Sequence, residues 1–147
     1  MKAETFRRHV PGTVMQAMAV LLDVEQWPAW RPGLRIVHLS DRPVRSGSIW
    51  LDKRPLGRRD VKFTARAVEV EPPRVFAYTL TGGGLEAFVR WTVRQDDERV
   101  LVVQHVEVRS IGLRGLVTDA RRQFLANQHA AMDRLRHLLG RSPEGGA

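Results

Sequence analysis

The stretch DVEQWPAWRPG, residues 23–33, separates two parts of the chain that have different hydrophobic patterns. Before it, apolar residues recur at helical spacing from Val14 to Leu22, and Pro11 is expected to open that helix. Within it, the segment EQWPAW predicts a second short helical turn, which Pro32 and Gly33 end. After it, the pattern changes to that of β-strands. The stretch therefore marks a pair of short helices followed by a sheet.

Six segments beyond this stretch have the residue pattern of β-strands, and short turns join them. They are residues 34–39, 48–53, 60–71, 74–81, 85–94 and 99–109. Within 60–71 the alternation changes phase between Ala67 and Val68, which predicts a β-bulge that bends the sheet. Residues 2–9 predict one further strand ahead of the helices. The strands that follow the helices are expected to form an antiparallel meander.

A long amphipathic helix is predicted from about Leu113 to Leu139, with Gly140 just beyond its end. Such a helix would be roughly 40 Å long at 1.5 Å per residue. Its apolar stripe consists of Leu113, Leu116, Val117, Ala120, Phe124, Ala131, Leu135 and Leu138. The meander is the one surface available to cover this stripe. Because a bent sheet cannot lie flush against a straight helix, we predict a cavity between them.

Short motifs along the chain resemble those of a known family. The stretch 23–33 resembles the signature "D…WP.W.PG", and four more matches follow in order: Gly47-Ser48-Ile49-Trp50, Val70-Glu71-Pro72-Pro73-Arg74, Trp91-Thr92-Val93 and Gly112-Leu113. Over residues 3–139 the chain resembles the START-like helix-grip superfamily (SRPBCC), in particular its polyketide cyclase/dehydrase and lipid-transport branch. The resemblance implies an α+β helix-grip fold, in which a bent antiparallel sheet wraps around a long C-terminal helix.

The register of the last two strands decides which residues face this helix. If residues 85–94 and 99–109 pair across a four-residue turn, Trp91 opposes Val102, Val89 opposes Gln104 and Val93 opposes Val100. The more apolar face is expected to point inward. It carries Ala87, Val89, Trp91, Val93, Val100, Val102, Gln104 and Val106. On the strand before these two, we expect the inward residues to be Phe76, Tyr78 and Leu80, because that choice buries more apolar area.

The predicted cavity is expected to be lined by large aromatic side chains and a few polar ones. They are Trp30, Trp50, Phe63, Tyr78, Trp91, Gln104, Arg121, Phe124 and Gln128. Each has a structural alternative. The aromatic residues can serve the core alone, and Gln104 can bond to a neighbouring side chain or a water. Gln128 and Arg121 can face solvent.

No residue can be named as catalytic from the sequence. There is no nucleophile motif G-x-S-x-G and no H-E-x-x-H, and Gly82-Gly83-Gly84 is interpreted as a hairpin loop. The chain contains no cysteine, and its five histidines are scattered, so neither a metal site nor a cofactor is predicted. Four carboxylates would be candidate bases if they faced inward: Asp52, Asp60, Glu86 and Glu107.

The charge of the chain is strongly positive but diffuse. The 147 residues carry 24 Lys and Arg against 16 Asp and Glu, a net charge of +8, and arginines occur from Arg7 to Arg141. This dispersion argues against a nucleic-acid partner and leaves open an anionic ligand or contact with a membrane surface. No apolar run is long enough to span a membrane, and the N-terminus lacks the pattern of a signal peptide. We therefore expect a cytoplasmic protein with one domain, 1–140, and a disordered tail, 141–147.

Three functions are compatible with these features. The first is the binding of a small hydrophobic ligand of the lipid, polyketide or isoprenoid-quinone type in the predicted cavity. The second, which the resemblance implies, is a polyketide cyclase or dehydratase that folds a reactive chain by the shape of the cavity. The third is an interaction module whose basic surface is formed by Arg54, Arg58 and Arg59 on a loop between two strands.

Overall fold

A computed structural model of the chain describes residues 2–111 and 118–140. The elements in chain order are β1 (Lys2–Val10), α1 (Val14–Leu22), a 3₁₀ helix (Val24–Ala29), β2 (Arg35–Leu39), β3 (Ile49–Leu56), β4 (Arg59–Glu71), β5 (Val75–Gly82), β6 (Leu85–Asp96), β7 (Arg99–Ser110) and α2 (Thr118–Gly140). Within the described ranges, seven strands form one antiparallel sheet in the order β1-β7-β6-β5-β4-β3-β2. The predicted α+β helix-grip fold is confirmed.

The start of α1 and the end of α2 differ from the sequence prediction. Helix α1 begins at Val14 rather than at Pro11, because Thr13 caps it. The Thr13 hydroxyl accepts a hydrogen bond from the backbone N–H of Gln16 at 3.1 Å, and the Gln16 side chain accepts one from the Thr13 N–H at 2.9 Å. Gly140 is the last residue of α2 and not the residue beyond it. Of the predicted stripe, Leu113, Leu116 and Val117 lie outside the described residues, as does the predicted tail.

The strand pairing confirms the predicted bulge and corrects one register. The ladder between β4 and β5 shifts between Ala67 and Glu69. Between β6 and β7, Trp91 pairs with Gln104, so the predicted pairing of Trp91 with Val102 is wrong by two residues. The inward face is nevertheless as predicted, since a shift of two residues leaves every side chain on the same face.

The long helix packs chiefly along β1 and reaches across to β3. Phe6 of β1 stacks on His129 at 5.2 Å between ring centroids, and the Asn127 side chain donates a hydrogen bond to the Pro55 carbonyl of β3 at 2.9 Å. Because these two strands stand near opposite edges of the sheet, the sheet has to curve around α2. The predicted stripe residues Ala120, Phe124, Ala131 and Leu135 are buried, and Leu138 is half-buried.

The middle of the inner face is covered by α1 and the 3₁₀ helix rather than by α2. Trp27 of the 3₁₀ helix is fully buried, with its ring centroid 5.6 Å from that of Trp50 and 5.5 Å from that of Tyr78. The predicted inward residues Phe76, Tyr78 and Leu80 are buried as well. None of the helices in the described ranges is both long and apolar enough to cross a lipid bilayer.

Candidate functional site

A pocket of about 240 Å³ lies between α2, the end of β3 and the loop that follows the 3₁₀ helix. Its apolar wall consists of Pro32, Leu34, Pro55, Ala130 and Ala131. Its polar wall consists of Arg31, Arg54, Asn127, Gln128 and Arg134. A concave site with an apolar wall and a few convergent polar groups is the usual form of a small-molecule site.

Arg31 is brought to this pocket by the backbone at the end of the 3₁₀ helix. Its N–H donates to the Trp27 carbonyl at 2.8 Å, which turns the chain back toward the interior. The side chain is 6 % exposed, and its guanidinium carbon lies 4.6 Å from the centroid of Trp27 and 4.8 Å from that of Trp30. Such distances correspond to cation–π contacts.

The hydrogen-bonding capacity of Arg31 is mostly unused. Nη1 donates to Gln128 Oε1 at 3.4 Å, a long bond, while Nε and Nη2 are buried with no partner among the described residues. Burial lowers the pKa of Arg31 below its ordinary value, against the opposing effects of the neighbouring Tyr78 hydroxyl and of the Asp52 carboxylate. Arginine nevertheless keeps its charge at physiological pH. Arg31 is therefore a buried cation with free donors.

Gln104 and Gln128 form a polar pair behind this wall. Gln104 Nε2 donates to Gln128 Oε1 at 2.8 Å, and both side chains are buried. The sequence left open whether Gln104 bonds to a ligand, a water or a neighbouring side chain, and the structure contains the bond to a neighbouring side chain. Gln128 is buried on the pocket wall and does not face solvent. The Oε1 atom of Gln104 still has no partner among the described residues.

A second buried guanidinium, that of Arg54, is paired. It donates from Nε and Nη2 to the two carboxylate oxygens of Asp52 at 3.0 and 2.7 Å. The prediction that Arg54 lies on an exposed basic loop is wrong, because the alternation of β3 directs Trp50, Asp52 and Arg54 to the inner face. Arg58 and Arg59 are exposed as expected. Asp52 is thus the inward carboxylate, but its charge is matched by Arg54.

The six aromatic residues predicted to line a cavity are all buried and pack against one another. Ring centroids are 5.2 Å apart for Trp50 and Tyr78, 6.2 Å for Trp30 and Trp91, and 5.9 Å for Phe63 and Phe124. Trp91 Nε1 donates to the Tyr78 hydroxyl at 3.1 Å. The two guanidiniums stand between these rings and the pocket, since Arg31 contacts the tryptophans and Arg54 lies 5.0 Å from the Phe63 centroid.

The structure does not bring Arg121 to the pocket wall. It is half-buried, and its Nε has no hydrogen-bond partner within the described part of the chain. Of the predicted lining set, Gln128 alone is among the residues of this pocket that the structure describes. Sequence reasoning missed Arg31 and Arg134, and it misassigned Arg54. The alternation of Trp50, Asp52 and Arg54 was a signal that could have found the buried pair.

Larger depressions occur elsewhere on the molecule. One of about 450 Å³ lies beside α1 and the 3₁₀ helix, and one of about 380 Å³ lies on the outer face of β5, β6 and β7. Neither contains a residue of α2 from the described range, and neither contains a buried charge. The pocket beside α2 combines the inner face of the fold with buried charged and polar side chains, and we take it as the candidate site.

Comparison with known proteins agrees with this architecture. The family model described as polyketide cyclase / dehydrase and lipid transport matches residues 3–140. No curated protein matches the chain.

Solved structures with the same fold include two aromatase/cyclases and a plant protein. The ZhuI aromatase/cyclase from Streptomyces sp. R1128 has a TM-score of 0.73 at 17% identity, covering 95% of this chain and 94% of that one. The di-domain aromatase/cyclase StfQ of the steffimycin biosynthetic pathway has a TM-score of 0.76 at 16% identity, covering 99% of this chain and 52% of that one. Major latex-like protein 151 from Panax ginseng has a TM-score of 0.73 at 9% identity, covering 94% and 97%. At these identities the likeness is one of fold.

Proposed function

This chain belongs to the polyketide cyclase / dehydrase and lipid transport family, and from that premise we propose that it binds a small hydrophobic ligand of the lipid, polyketide or isoprenoid-quinone type in the pocket beside α2. The observation that carries the proposal is the composition of the pocket wall. Apolar residues of the loop, β3 and α2 face a few polar groups that converge from the same three elements. This arrangement supports a ligand with an apolar body and one or two polar substituents.

The size of the pocket limits the ligand. About 240 Å³ is below the range of roughly 300–1,000 Å³ that encloses drug-sized molecules. The pocket therefore suits a small ligand, or one end of a longer one. Three tryptophan rings lie within 6 Å of the Arg31 guanidinium carbon, so an occupant of the pocket should change tryptophan emission.

Native mass spectrometry of the purified protein, followed by identification of any retained molecule, tests the proposal directly. Tryptophan quenching by fatty acids, flavonoids and quinones provides a binding constant. Ala130 lines the pocket while its own side chain is exposed, so Ala130→Phe should obstruct the pocket without disturbing the core. We expect at least about tenfold weaker binding, since an ill-fitting group in a packed site costs typically 1–3 kcal/mol.

The matched control is Ala126→Phe, one turn earlier on the exposed side of α2 and outside the pocket. It should bind the ligand as the unmodified protein does. Absence of any retained molecule, together with no quenching by the three ligand classes, would contradict the proposal. Equal losses in the two variants would contradict this location for the site.

A cyclase or dehydratase function is a second candidate, and one observation favours it. Arg31, Arg54, Asn127 and Gln128 are all within one small pocket, so several donors could stabilise the enolate oxygens of a reactive polyketide chain. The described pocket residues include no carboxylate or imidazole that could serve as a base. The chemistry would therefore consist of orientation and electrostatic stabilisation. Conversion of a synthetic poly-β-keto thioester into cyclised products, followed by mass spectrometry, would separate this function from binding alone.

A further inference from the structure

The charges buried inside the molecule do not balance. Among the described residues, the charged side chains that are buried are Arg31, Asp52 and Arg54. Asp52 and Arg54 neutralise each other through two hydrogen bonds. Asp52 also favours the charged form of Arg31, but a single carboxylate serves two buried guanidiniums, so one buried positive charge is left over, which is strongly unfavourable.

The free atoms of Arg31 are arranged to hold a carboxylate. Trp27 and Trp30 contact the guanidinium, and Nη1 is directed to Gln128. The atoms that remain are Nε and Nη2, which form one edge of the guanidinium. The same two atoms of Arg54 hold the Asp52 carboxylate in this protein. A fork of two parallel N–H donors matches the two oxygens of a carboxylate.

The other charged side chains of the pocket wall are positive, like Arg31. The described pocket residues include three arginines and no acidic side chain. Asp52 offsets the charge of Arg54, and Arg134 stands exposed at the rim. The pocket is thus electropositive both at its rim and at Arg31, which favours entry of an anion.

We propose that the ligand of this pocket carries a carboxylate group, and that the Nε and Nη2 edge of Arg31 binds it. The inference rests on the proposed function, because it names the chemical class of the ligand for that same site. The acidic group balances the one buried positive charge that Asp52 leaves over, while the apolar body lies against Leu34, Pro55 and Ala131.

The test compares two probes of one shape, 2-naphthoate and the neutral 2-naphthamide, by titration calorimetry at pH 7.5. We expect the carboxylate to bind at least about tenfold more tightly, since a charge-assisted fork is about twice as strong as neutral hydrogen bonds. Arg31→Gln should abolish this preference. Arg136→Gln, at an exposed position of α2 outside the pocket, should keep it within about twofold, since exposed charges contribute little.

Each outcome has a defined meaning. Equal binding of both probes, blocked by Ala130→Phe, would overturn this inference and leave the proposed function standing. A preference that survives Arg31→Gln would overturn the assignment to Arg31. Failure of both probes to bind would count against the proposed function itself. The probe pair on the unmodified protein needs no variant, so the test holds even if Arg31→Gln does not fold.

Discussion

Arg31 illustrates what a sequence conceals at the scale of one residue. Charged side chains are rarely buried without a partner, so an arginine after two core tryptophans is expected to be exposed. Its inward position depends on the hydrogen bond from its own N–H to the Trp27 carbonyl, a feature of the folded backbone that no residue pattern encodes. The same expectation, that arginine is exposed, led to the prediction that Arg54 lies on an exposed loop, although the alternation of β3 indicated an inward side chain.

Arg31→Met should stabilise the ligand-free protein by about 1 kcal/mol. Removing an unpaired buried charge relieves a penalty of several kcal/mol, while the cation–π contacts that are lost contribute roughly 0.5–2 kcal/mol each. Contacts of the Met sulfur with the tryptophan rings would recover part of that loss. Urea unfolding monitored by circular dichroism provides the measurement.

The control for this variant is Arg134→Met, whose side chain is exposed and whose stability should change by less than about 0.5 kcal/mol. A loss of more than about 1 kcal/mol in Arg31→Met would mean that Arg31 serves the fold, which is opposite to the behaviour of a ligand-binding cation. A gain in stability accompanied by weaker ligand binding would be typical of a functional residue.

Asp52→Asn should destabilise the protein by about 3–5 kcal/mol, because it leaves the Arg54 charge buried and unpaired. The double variant Asp52→Leu with Arg54→Met removes both charges and should recover most of that loss. Chemical unfolding of the double variant, together with Asp52→Leu alone and Arg54→Met alone, completes the double-mutant cycle. Additive losses in the double variant would contradict the pairing as the source of the effect.

At the scale of elements, the strands were predictable because alternation and turn residues are local. The hairpin between β6 and β7 marks the limit of that reasoning. The sequence suggested a four-residue turn, but Asp96 pairs with Arg99 and the turn is Asp97-Glu98, with Asp97 at φ +56°. A non-glycine residue in this conformation is uncommon, so the tighter turn had no glycine to signal it. Both turns contain an even number of residues, which is why the inward face was predicted correctly despite the shifted register.

The attachment of α2 to β1 should depend on pH through Asp133. Arg8 of β1 donates to the Asp133 carboxylate at 2.9 Å, and this hydrogen bond lowers the pKa of Asp133 below its ordinary value of 3.8. A lowered pKa in the folded state stabilises the protein above the pKa of the unfolded chain, and that contribution is lost as the pH falls through the folded-state value. Because the pair is largely exposed, we expect less than about 1 kcal/mol at neutral pH.

Asp133→Asn should therefore unfold at a slightly lower temperature than the unmodified protein at pH 7. The difference should shrink as the pH falls below the ordinary carboxyl pKa and disappear below the lowered pKa of Asp133 in the folded protein, where both proteins lack the charge. Thermal unfolding from pH 7 to pH 2.5 measures this convergence. A difference that stays constant over the whole range would assign the effect to packing and not to the ion pair.

At the scale of the whole molecule, the position of the pocket follows from which helix covers which part of the sheet. The sequence predicted one cavity beneath the long helix because it assigned the whole inner face to that helix. In the structure, the 3₁₀ helix inserts Trp27 among Trp50 and Tyr78, and aromatic rings occupy the centre. The described pocket beside α2 lies toward the side where α2 reaches β3. Which helix covers which strands depends on tertiary packing, and residue spacing along the chain does not determine it.

The position of the pocket predicts which segments a bound ligand stabilises against unfolding and amide hydrogen exchange. At one hundred times its dissociation constant, 2-naphthoate should stabilise the fold by about 2.7 kcal/mol. For a chain of this length that corresponds to a rise in Tm of roughly 5–10 °C. Since the pocket joins the loop after the 3₁₀ helix, the end of β3 and α2, slower amide hydrogen exchange should be concentrated in those three segments. Protection in β6 and β7 instead, around Glu86 and Glu107, would assign the ligand to the depression on the outer face and remove Arg31 from its recognition.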